Sequence, residues 1–193
     1  VNALSDSFVI SAIRDGRKKT AQFEHGKLIN ESELTATDAP NGTEVNFTPD
    51  PTIFRDYSFR DEFIVAMLKN YTFLNTGLVI NYNGKRFISR HGLLDLLKEN
   101  LTDEPLYPII HLKGDDIEIA ITHANQYGEE YYSFVNGQHT TQGGTHLSAF
   151  KEAVSRTIKE MFGRNFEYSD IRNGIVAAVA IKVEEPVFES QTK

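Results

Sequence analysis

The 193-residue sequence contains no cysteine, no tryptophan and only two methionines. The absence of cysteine excludes disulfide bonds, thiol nucleophiles and thiolate metal sites, and it is typical of proteins in a reducing compartment. No apolar run approaches the ~18 residues of a membrane-spanning helix, and the N-terminus lacks the basic and apolar segments of a signal peptide. The sequence therefore predicts a cytoplasmic protein with no membrane partner.

The short signatures of the common enzyme classes are also missing. There is no Walker-type phosphate loop, no G-x-G-x-x-G, no H-E-x-x-H, no EF-hand loop and no G-x-S-x-G. Six histidines are present, but none has the close helical spacing of a zinc site. Motifs alone therefore predict no metal-binding residue in this chain.

Charge is distributed unevenly along the sequence. The formal net charge of −7 argues against a surface built mainly to neutralise nucleic-acid phosphates. Residues 1–92 carry eleven basic and eleven acidic side chains, whereas residues 93–193 carry nine basic and sixteen acidic ones. This asymmetry predicts two units, with a boundary near His91 and Gly92.

Turn residues between short apolar runs predict β-hairpins in the first unit. Asp15-Gly16 and Asn83-Gly84 are strong signals for two-residue hairpin turns. The predicted strands cover residues 8–13, 20–23, 43–48, 78–82 and 85–89. Between them, Ser58 and apolar residues at four-residue steps predict a helix over residues 58–74.

The second unit is predicted to mix helices with a buried sheet. Strands are expected over residues 109–113, 117–123 and 131–136, and a short helix over residues 93–100. A longer helix should begin at Thr145, whose hydroxyl can cap it, and end at Gly163. The nearly continuous apolar run at residues 175–183 predicts a strand buried on both faces, against which the longer helix packs.

The pair Gly143-Gly144, which precedes Thr145 and His146, has two interpretations. Glycine permits a sharp turn before a helix, and the free amides at a helix start can also hold an anion. The turn is the more common of the two. Considered alone, Gly42-Thr43 is typical of the end of a turn at a strand start, and Gln191 and Lys193 are typical of solvent-exposed residues. These patterns alone predict a two-unit α+β protein of unassigned role.

Six short blocks, taken in order, resemble the ATPase subunit of type IIA DNA topoisomerases, the family of gyrase B and its counterpart in topoisomerase IV. The blocks are Val1-Asn2-Ala3-Leu4-Ser5, Glu24-His25-Gly26, Gly42-Thr43-Glu44-Val45, Phe73-Leu74-Asn75-Thr76-Gly77, Gln142-Gly143-Gly144-Thr145-His146 and Gln191-Thr192-Lys193. The resemblance extends over essentially the whole chain. Gln142 is closer to the topoisomerase IV pattern than to that of gyrase.

The resemblance implies an α+β fold in two parts. Residues 1–91 would be the C-terminal part of a GHKL (Bergerat) ATPase domain, an α/β sandwich. Residues 92–193 would be a transducer domain with a ribosomal-protein-like left-handed βαβ fold, truncated after the Gln-Thr-Lys block. The family's catalytic glutamate, magnesium-binding asparagine, adenine-binding aspartate and glycine-rich lid precede the first block, so the chain is expected to be a fragment that is inactive and binds no nucleotide alone.

The resemblance also assigns site residues. Thr43 corresponds to the strand threonine that helps the aspartate recognise adenine. Gln191 and Lys193 correspond to the transducer residues that reach the γ-phosphate, and they are the implied catalytic residues of this chain. A departure occurs at Thr20, where gyrase-type relatives commonly carry an arginine used by coumarin inhibitors.

For the full-length protein, the family implies ATP and Mg²⁺, a homodimer formed through the ATPase domain, an A-type cleavage subunit and DNA. Two alternative functions stay open. A MutL-type mismatch-repair clamp shares the ATPase-plus-transducer plan, although its phosphate-contacting lysine does not sit in a block of this kind. If the chain were a protein-binding α+β module, all six sequence blocks would have to occur in this order by chance.

Overall fold

The computed structural model describes residues 1–188, and these form two compact units. The first covers Val1–Arg60 and the second begins at Asp61. This division differs from the boundary near His91 that charge and resemblance predict, because the helix after Asp61 contacts the helix after Gly92. The family-based boundary remains a prediction. None of the helices within residues 1–188 is long and apolar enough to cross a lipid bilayer.

The first unit is an antiparallel sheet. After a 3₁₀ turn at Asn2–Leu4, its strands are β1 (Ser5–Arg14), β2 (Arg17–Glu24), β3 (Lys27–Glu31), β4 (Thr35–Ala36) and β5 (Gly42–Pro49). They are ordered β3-β2-β1-β5, with β4 pairing to β2. The predicted hairpin is confirmed, because Asp15 and Gly16 both adopt the positive φ that a tight primed turn requires.

The second unit begins with two helices and a small hairpin. They are α1 (Asp61–Leu74), β6 (Ile80–Tyr82), β7 (Lys85–Phe87) and α2 (Leu93–Asn100). The predicted start of α1 at Ser58 is wrong by three residues. Phe59 lies outside the helix because its ring packs edge-on against Phe47 and Tyr57, with centroid distances of 6.4 and 6.1 Å.

The rest of the second unit is a five-stranded mixed sheet and two helices. The strands are β8 (Ile110–Lys113), β9 (Ile117–His123), β10 (Glu130–Val135), β11 (Gln138–His139) and β12 (Ile175–Ile181). The helices α3 (Thr145–Phe162) and α4 (Tyr168–Arg172) lie between β11 and β12 in the sequence. The strand order is β11-β10-β12-β9-β8. β12 is central, parallel to β10 and antiparallel to β9, so β10, α3 and β12 make a βαβ unit.

Alternate side chains of β12 divide the core into two layers. Val176 and Ala178 pack with Leu93, Leu96 and Leu97 of α2, whereas the alternate positions pack under α3. The members of this second cluster are Ile121, Phe150, Ile175, Ala177 and Val179. The prediction of a strand buried on both faces is confirmed, although the strand ends at Ile181 and not at residue 183. Each large buried side chain contributes about 1.5–3 kcal/mol.

Other sequence predictions were incomplete in detail. The helix begins at Thr145 and ends before Gly163, as predicted. The predicted cap by the Thr145 hydroxyl is wrong, because the N-cap residue is Gly144 and no side chain caps the helix. The short elements β3, β4, β11 and α4 were not predicted.

Candidate functional site

Thr43 lies near the start of β5, which forms one edge of the first sheet. It pairs with Ala12 on β1, and the next residue on the same face of β5, Val45, pairs with Ile10. Successive side chains on a strand point to opposite faces, so Thr43 shares a face with Ile10 and Val45. The Thr43 side chain is exposed and Val45 is 49% exposed.

Apart from the Lys19–Glu31 ion pair, which lies beside Ala12 and Ala21, this face of the sheet is mainly apolar. Phe8 pairs with Phe23 on one side and Phe47 on the other, so three aromatic rings continue the surface that begins at Thr43. The Phe8 and Phe23 rings meet edge to face at 6.1 Å. An exposed hydroxyl at the end of an apolar surface can support a flat heterocycle and donate or accept one hydrogen bond. The residues present therefore fit the base of a nucleotide.

The opposite face of the sheet has a different chemistry. Ser11 and Thr20 share a hydrogen bond of 2.8 Å between their hydroxyls, and Lys18 lies 3.8 Å from Glu44. Thr20, the position of the coumarin-related departure, therefore lies on the polar face, and Thr43 lies on the apolar one. The two faces of the first sheet therefore differ: one carries mainly apolar side chains, and the other carries the Ser11–Thr20 and Lys18–Glu44 pairs.

Two of the sequence blocks meet at the other end of this sheet. The His25 main-chain N–H donates to the Ser5 carbonyl at 3.0 Å, and the His25 Nδ1 lies 3.0 Å from an oxygen of Asp50. The second Asp50 oxygen accepts hydrogen bonds from the amide and hydroxyl of Thr52, at 2.8 and 2.6 Å. These bonds, and then the nearby imidazole, hold the pKa of Asp50 below its ordinary value. We call this group of Ser5, His25, Asp50 and Thr52 the corner; its contacts hold the ends of neighbouring strands together and have a structural role.

The Gly143-Gly144 segment also has a structural explanation. A side chain on Gly144, whose φ is +147°, would meet the His146 ring at 3.1 Å. The His146 Nε2 lies 3.3 Å from the Thr140 hydroxyl, which is itself 2.6 Å from the buried Ser133 hydroxyl. Burial lowers the pKa of His146. The geometry supports the turn interpretation, because the imidazole occupies the space beside the helix start.

Gln191 and Lys193 lie outside the described residues. The structure does describe the chain that leads to them as far as Phe188. After β12 ends, the side chain of Asn136 makes two hydrogen bonds with the main chain of Val183. The sequence does not predict this contact, because it joins residues 47 positions apart and the Asn-Gly pair is already explained as a hairpin turn. Within residues 1–188, no group of three or more acidic or histidine side chains could hold a metal ion.

Comparison with known proteins identifies the family. Residues 91–193 match the sequence model of the family described as DNA gyrase B. Over its whole length the chain is 42% identical to the B-type subunit of DNA topoisomerase 4 from Borreliella burgdorferi and 32% identical to that of DNA gyrase from Helicobacter pylori strain 26695. It spans only 32% and 28% of the lengths of these relatives.

Solved structures agree on the fold. The 43K ATPase domain of Thermus thermophilus gyrase B, in complex with an aminocoumarin, is 29% identical and superposes with a TM-score of 0.77, covering 97% of this chain and 58% of that one. The ATPase region of Saccharomyces cerevisiae topoisomerase II, at 22% identity, superposes with a TM-score of 0.78 over 100% of this chain and 52% of that one. These matches confirm the expected α+β fold of a GHKL-type ATPase region. The chain belongs to the DNA gyrase B family.

Proposed function

We propose that this chain is part of the ATP-hydrolysing B-type subunit of a bacterial type II DNA topoisomerase, which couples ATP to closure of a DNA gate and strand passage. The observation that carries the proposal is the similarity to the corresponding subunit of a topoisomerase IV over the whole chain, at 42% identity. The family assignment also favours this function over a MutL-type clamp.

Thr43 is proposed to bind adenine. Its hydroxyl is exposed on an apolar sheet face, which matches the mixed apolar and hydrogen-bonding surface of a purine. The aspartate that completes base recognition, the catalytic glutamate and the residues that hold Mg²⁺ are expected outside this chain. We therefore propose that the 193-residue chain alone hydrolyses no ATP and binds no nucleotide.

Gln191 and Lys193 are proposed to contact the γ-phosphate. A hydrogen bond between an ammonium group and a phosphate oxygen contributes about 1.5–3 kcal/mol net. ADP has no oxygen at that position, so only ATP can gain this contact. A ligand shifts a conformational equilibrium only by its difference in affinity for the two states, so the contact can link hydrolysis to movement of the transducer domain.

The proposed domain boundary follows the family rather than the compact units. Residues 1–91 are assigned to the ATPase domain and residues 92–193 to the transducer, and the family match that begins at residue 91 supports this division. The proposal includes a homodimer formed through the ATPase domain, an A-type cleavage subunit and DNA as partners. The match to a topoisomerase IV protein agrees with the pattern around Gln142 and favours topoisomerase IV over gyrase.

The test is strand passage by the complete B-type subunit together with its cleavage subunit. We expect ATP-dependent relaxation of supercoiled DNA, and we expect none when the B-type subunit carries Lys193→Ala. ATP hydrolysis without strand passage would instead support a clamp. ATP turnover by the isolated 193-residue chain would show that the site has been placed in the wrong residues.

A further inference from the structure

The sequence contains no acidic residue between Glu62 and Asp95. The chain has 27 acidic residues among its 193, so a stretch of this length would hold about four at the average frequency. The same stretch carries four basic residues, which are Lys69, Lys85, Arg86 and Arg90. It is therefore a locally positive segment in a chain whose net charge is −7.

Three of these four basic residues lie on or beside the hairpin of β6 and β7. The two strands form a separate two-stranded sheet, joined by a tight turn at Asn83 and Gly84. Lys85 and Arg86 belong to β7, and Arg90 follows shortly after β7 ends. All three side chains are exposed. We call residues 80–90 the basic ribbon.

The positive charge of the basic ribbon is not neutralised by the rest of residues 1–188. Lys69 forms an ion pair with Glu99, but Lys85, Arg86 and Arg90 form none within this part of the chain. Two carboxylates approach the ribbon, and other groups engage both of them. The Tyr82 hydroxyl donates to Asp61, and the main-chain N–H of Arg90 donates to Asp95 at 3.1 Å. The three cationic groups are left for a partner.

The strand register places donors of two kinds on the outer face of the basic ribbon. Asn81 pairs with Arg86, and Tyr82 pairs with Lys85. Adjacent side chains point to opposite faces, so Asn81 and Arg86 share the face opposite Tyr82. Tyr82 is held towards the start of α1 by its bond to Asp61, so the shared face points away from α1. A guanidinium beside an amide is a pair of donors suited to phosphate oxygens.

We propose that the basic ribbon contacts the phosphate backbone of duplex DNA, an inference that rests on the proposed function of the complete subunit. Duplex DNA carries about one negative charge per 1.7 Å of its axis, which complements a row of unpaired cations. Two strands about 4.8 Å apart also fit within the roughly 12 Å width of the major groove. The centre of a protein–protein interface is depleted of charged residues, whereas this ribbon presents three charges together with amide donors.

The experiment measures the affinity of the complete B-type subunit for a fluorescent duplex of about 30 base pairs, between about 50 and 200 mM salt. The ribbon variant combines Lys85→Gln, Arg86→Gln and Arg90→Gln. Each lost phosphate contact should make the slope of log K against log salt less negative by about 0.9, so we expect a change of about 2.7. The affinity at about 50 mM salt should fall by at least tenfold.

A matched control removes the same amount of charge outside the basic ribbon. It combines Arg17→Gln, Lys27→Gln and Lys98→Gln, which replace exposed cations that form no ion pair within residues 1–188. We expect the control to keep the salt slope of the unaltered subunit. Both variants should melt at the same temperature as the unaltered subunit, because exposed side chains contribute little to stability.

The outcomes separate this inference from the proposed function. An unchanged slope in the ribbon variant, or an equal change in the control, would overturn the inference alone if the unaltered subunit relaxes supercoiled DNA with its cleavage subunit. Unchanged DNA binding with weaker binding to the cleavage subunit would assign the ribbon to a protein partner and also overturn it. If the unaltered subunit supported no relaxation, the proposed function would fail, and this inference with it.

Discussion

The His25 imidazole lies 3.0 Å from the carboxylate of Asp50, which joins the turn after β2 to the end of β5. Asp50 is buried, and one of its carboxylate oxygens accepts hydrogen bonds from both the amide and the hydroxyl of Thr52. The histidine has a positive φ of +48°, as expected for a residue in the tight turn between β2 and β3. This corner sets the relative positions of the two strand ends that flank the sheet carrying Thr43.

The corner gives a prediction for acid unfolding. The pKa of Asp50 is lowered by folding, so the stability it adds is complete above its unfolded value of about 3.9 and is lost as the pH falls through the folded value. Asp50→Asn should lower the free energy of unfolding at pH 7 and make its decline between about pH 5 and pH 2 shallower. Urea unfolding at several pH values measures this.

Asp6→Asn is the matched control for Asp50→Asn. Asp6 lies 3.6 Å from the other nitrogen of His25, but its side chain is 56% exposed, and exposed ion pairs contribute little. An equal effect of the two substitutions would show that the buried hydrogen bonds of Asp50 do not matter.

Gly92 gives a second prediction. A Cβ at Gly92 would collide with the Glu118 carboxylate, which accepts the Leu93 N–H at 2.8 Å at the start of α2. Gly92→Ala should lower the free energy of unfolding by about 1–3 kcal/mol for the backbone conformation of Gly92 (φ +59°, ψ −125°), which favours glycine. The displaced charged hydrogen bond should cost a further ~1.5–3 kcal/mol.

Gly163 provides a comparison for Gly92. Its φ is also +59°, but its ψ of 22° places it in the left-handed helical region, whereas Gly92 has a ψ of −125°. A Cβ at Gly163 would meet no atom within 4 Å. Gly163→Ala should therefore lower the free energy of unfolding by only about 1–2 kcal/mol. Equal losses in the two variants, measured by urea unfolding, would contradict the steric role of Glu118.

Leu97 tests the core beneath β12. The residue is fully buried between α2 and the sheet, so Leu97→Ala should lower the free energy of unfolding by about 2–5 kcal/mol. Leu106 is 67% exposed, and Leu106→Ala should change the free energy of unfolding by less than about 0.5 kcal/mol. A small effect at Leu97 would mean that α2 does not hold the sheet.

Local chemistry explains which parts of the fold were predictable from sequence. The Asp15-Gly16 and Asn83-Gly84 turns, α2 and the strand β9 follow from residue type and spacing within a few positions. β12 follows from its uninterrupted apolar run, since a central strand is buried on both faces. In each case the determining residues are neighbours in the sequence.

The missed features depend on partners that are distant in the sequence. The edge strand β3 is wholly exposed and exists through its pairing with β2, so it has no apolar pattern of its own. The start of α1 shifted because Phe59 packs on Phe47. The contacts of His25 with Asp50 and of Asn136 with Val183 join residues 25 and 47 positions apart, so sequence spacing could not reveal them.

Thr43 tests base recognition in the complete B-type subunit. Thr43→Val keeps the shape of the side chain and removes the hydroxyl, so the affinity for ATP and for ADP should fall equally, by about 3- to 10-fold. Thr48→Val, a substitution on the same strand but the opposite face, should leave both affinities unchanged. Calorimetric titration with each nucleotide distinguishes the two, and unchanged affinities in Thr43→Val would remove Thr43 from the site.

Recognition of the γ-phosphate by Lys193 is the central claim, and the most direct measurement is the ratio of affinities for a non-hydrolysable ATP analogue and for ADP. In the complete B-type subunit, Lys193→Ala should weaken binding of the analogue by about tenfold or more, since a charged hydrogen bond is lost, and leave ADP binding unchanged. An equal loss for both nucleotides, or no loss for either, would contradict a role for Lys193 as the sensor of the γ-phosphate.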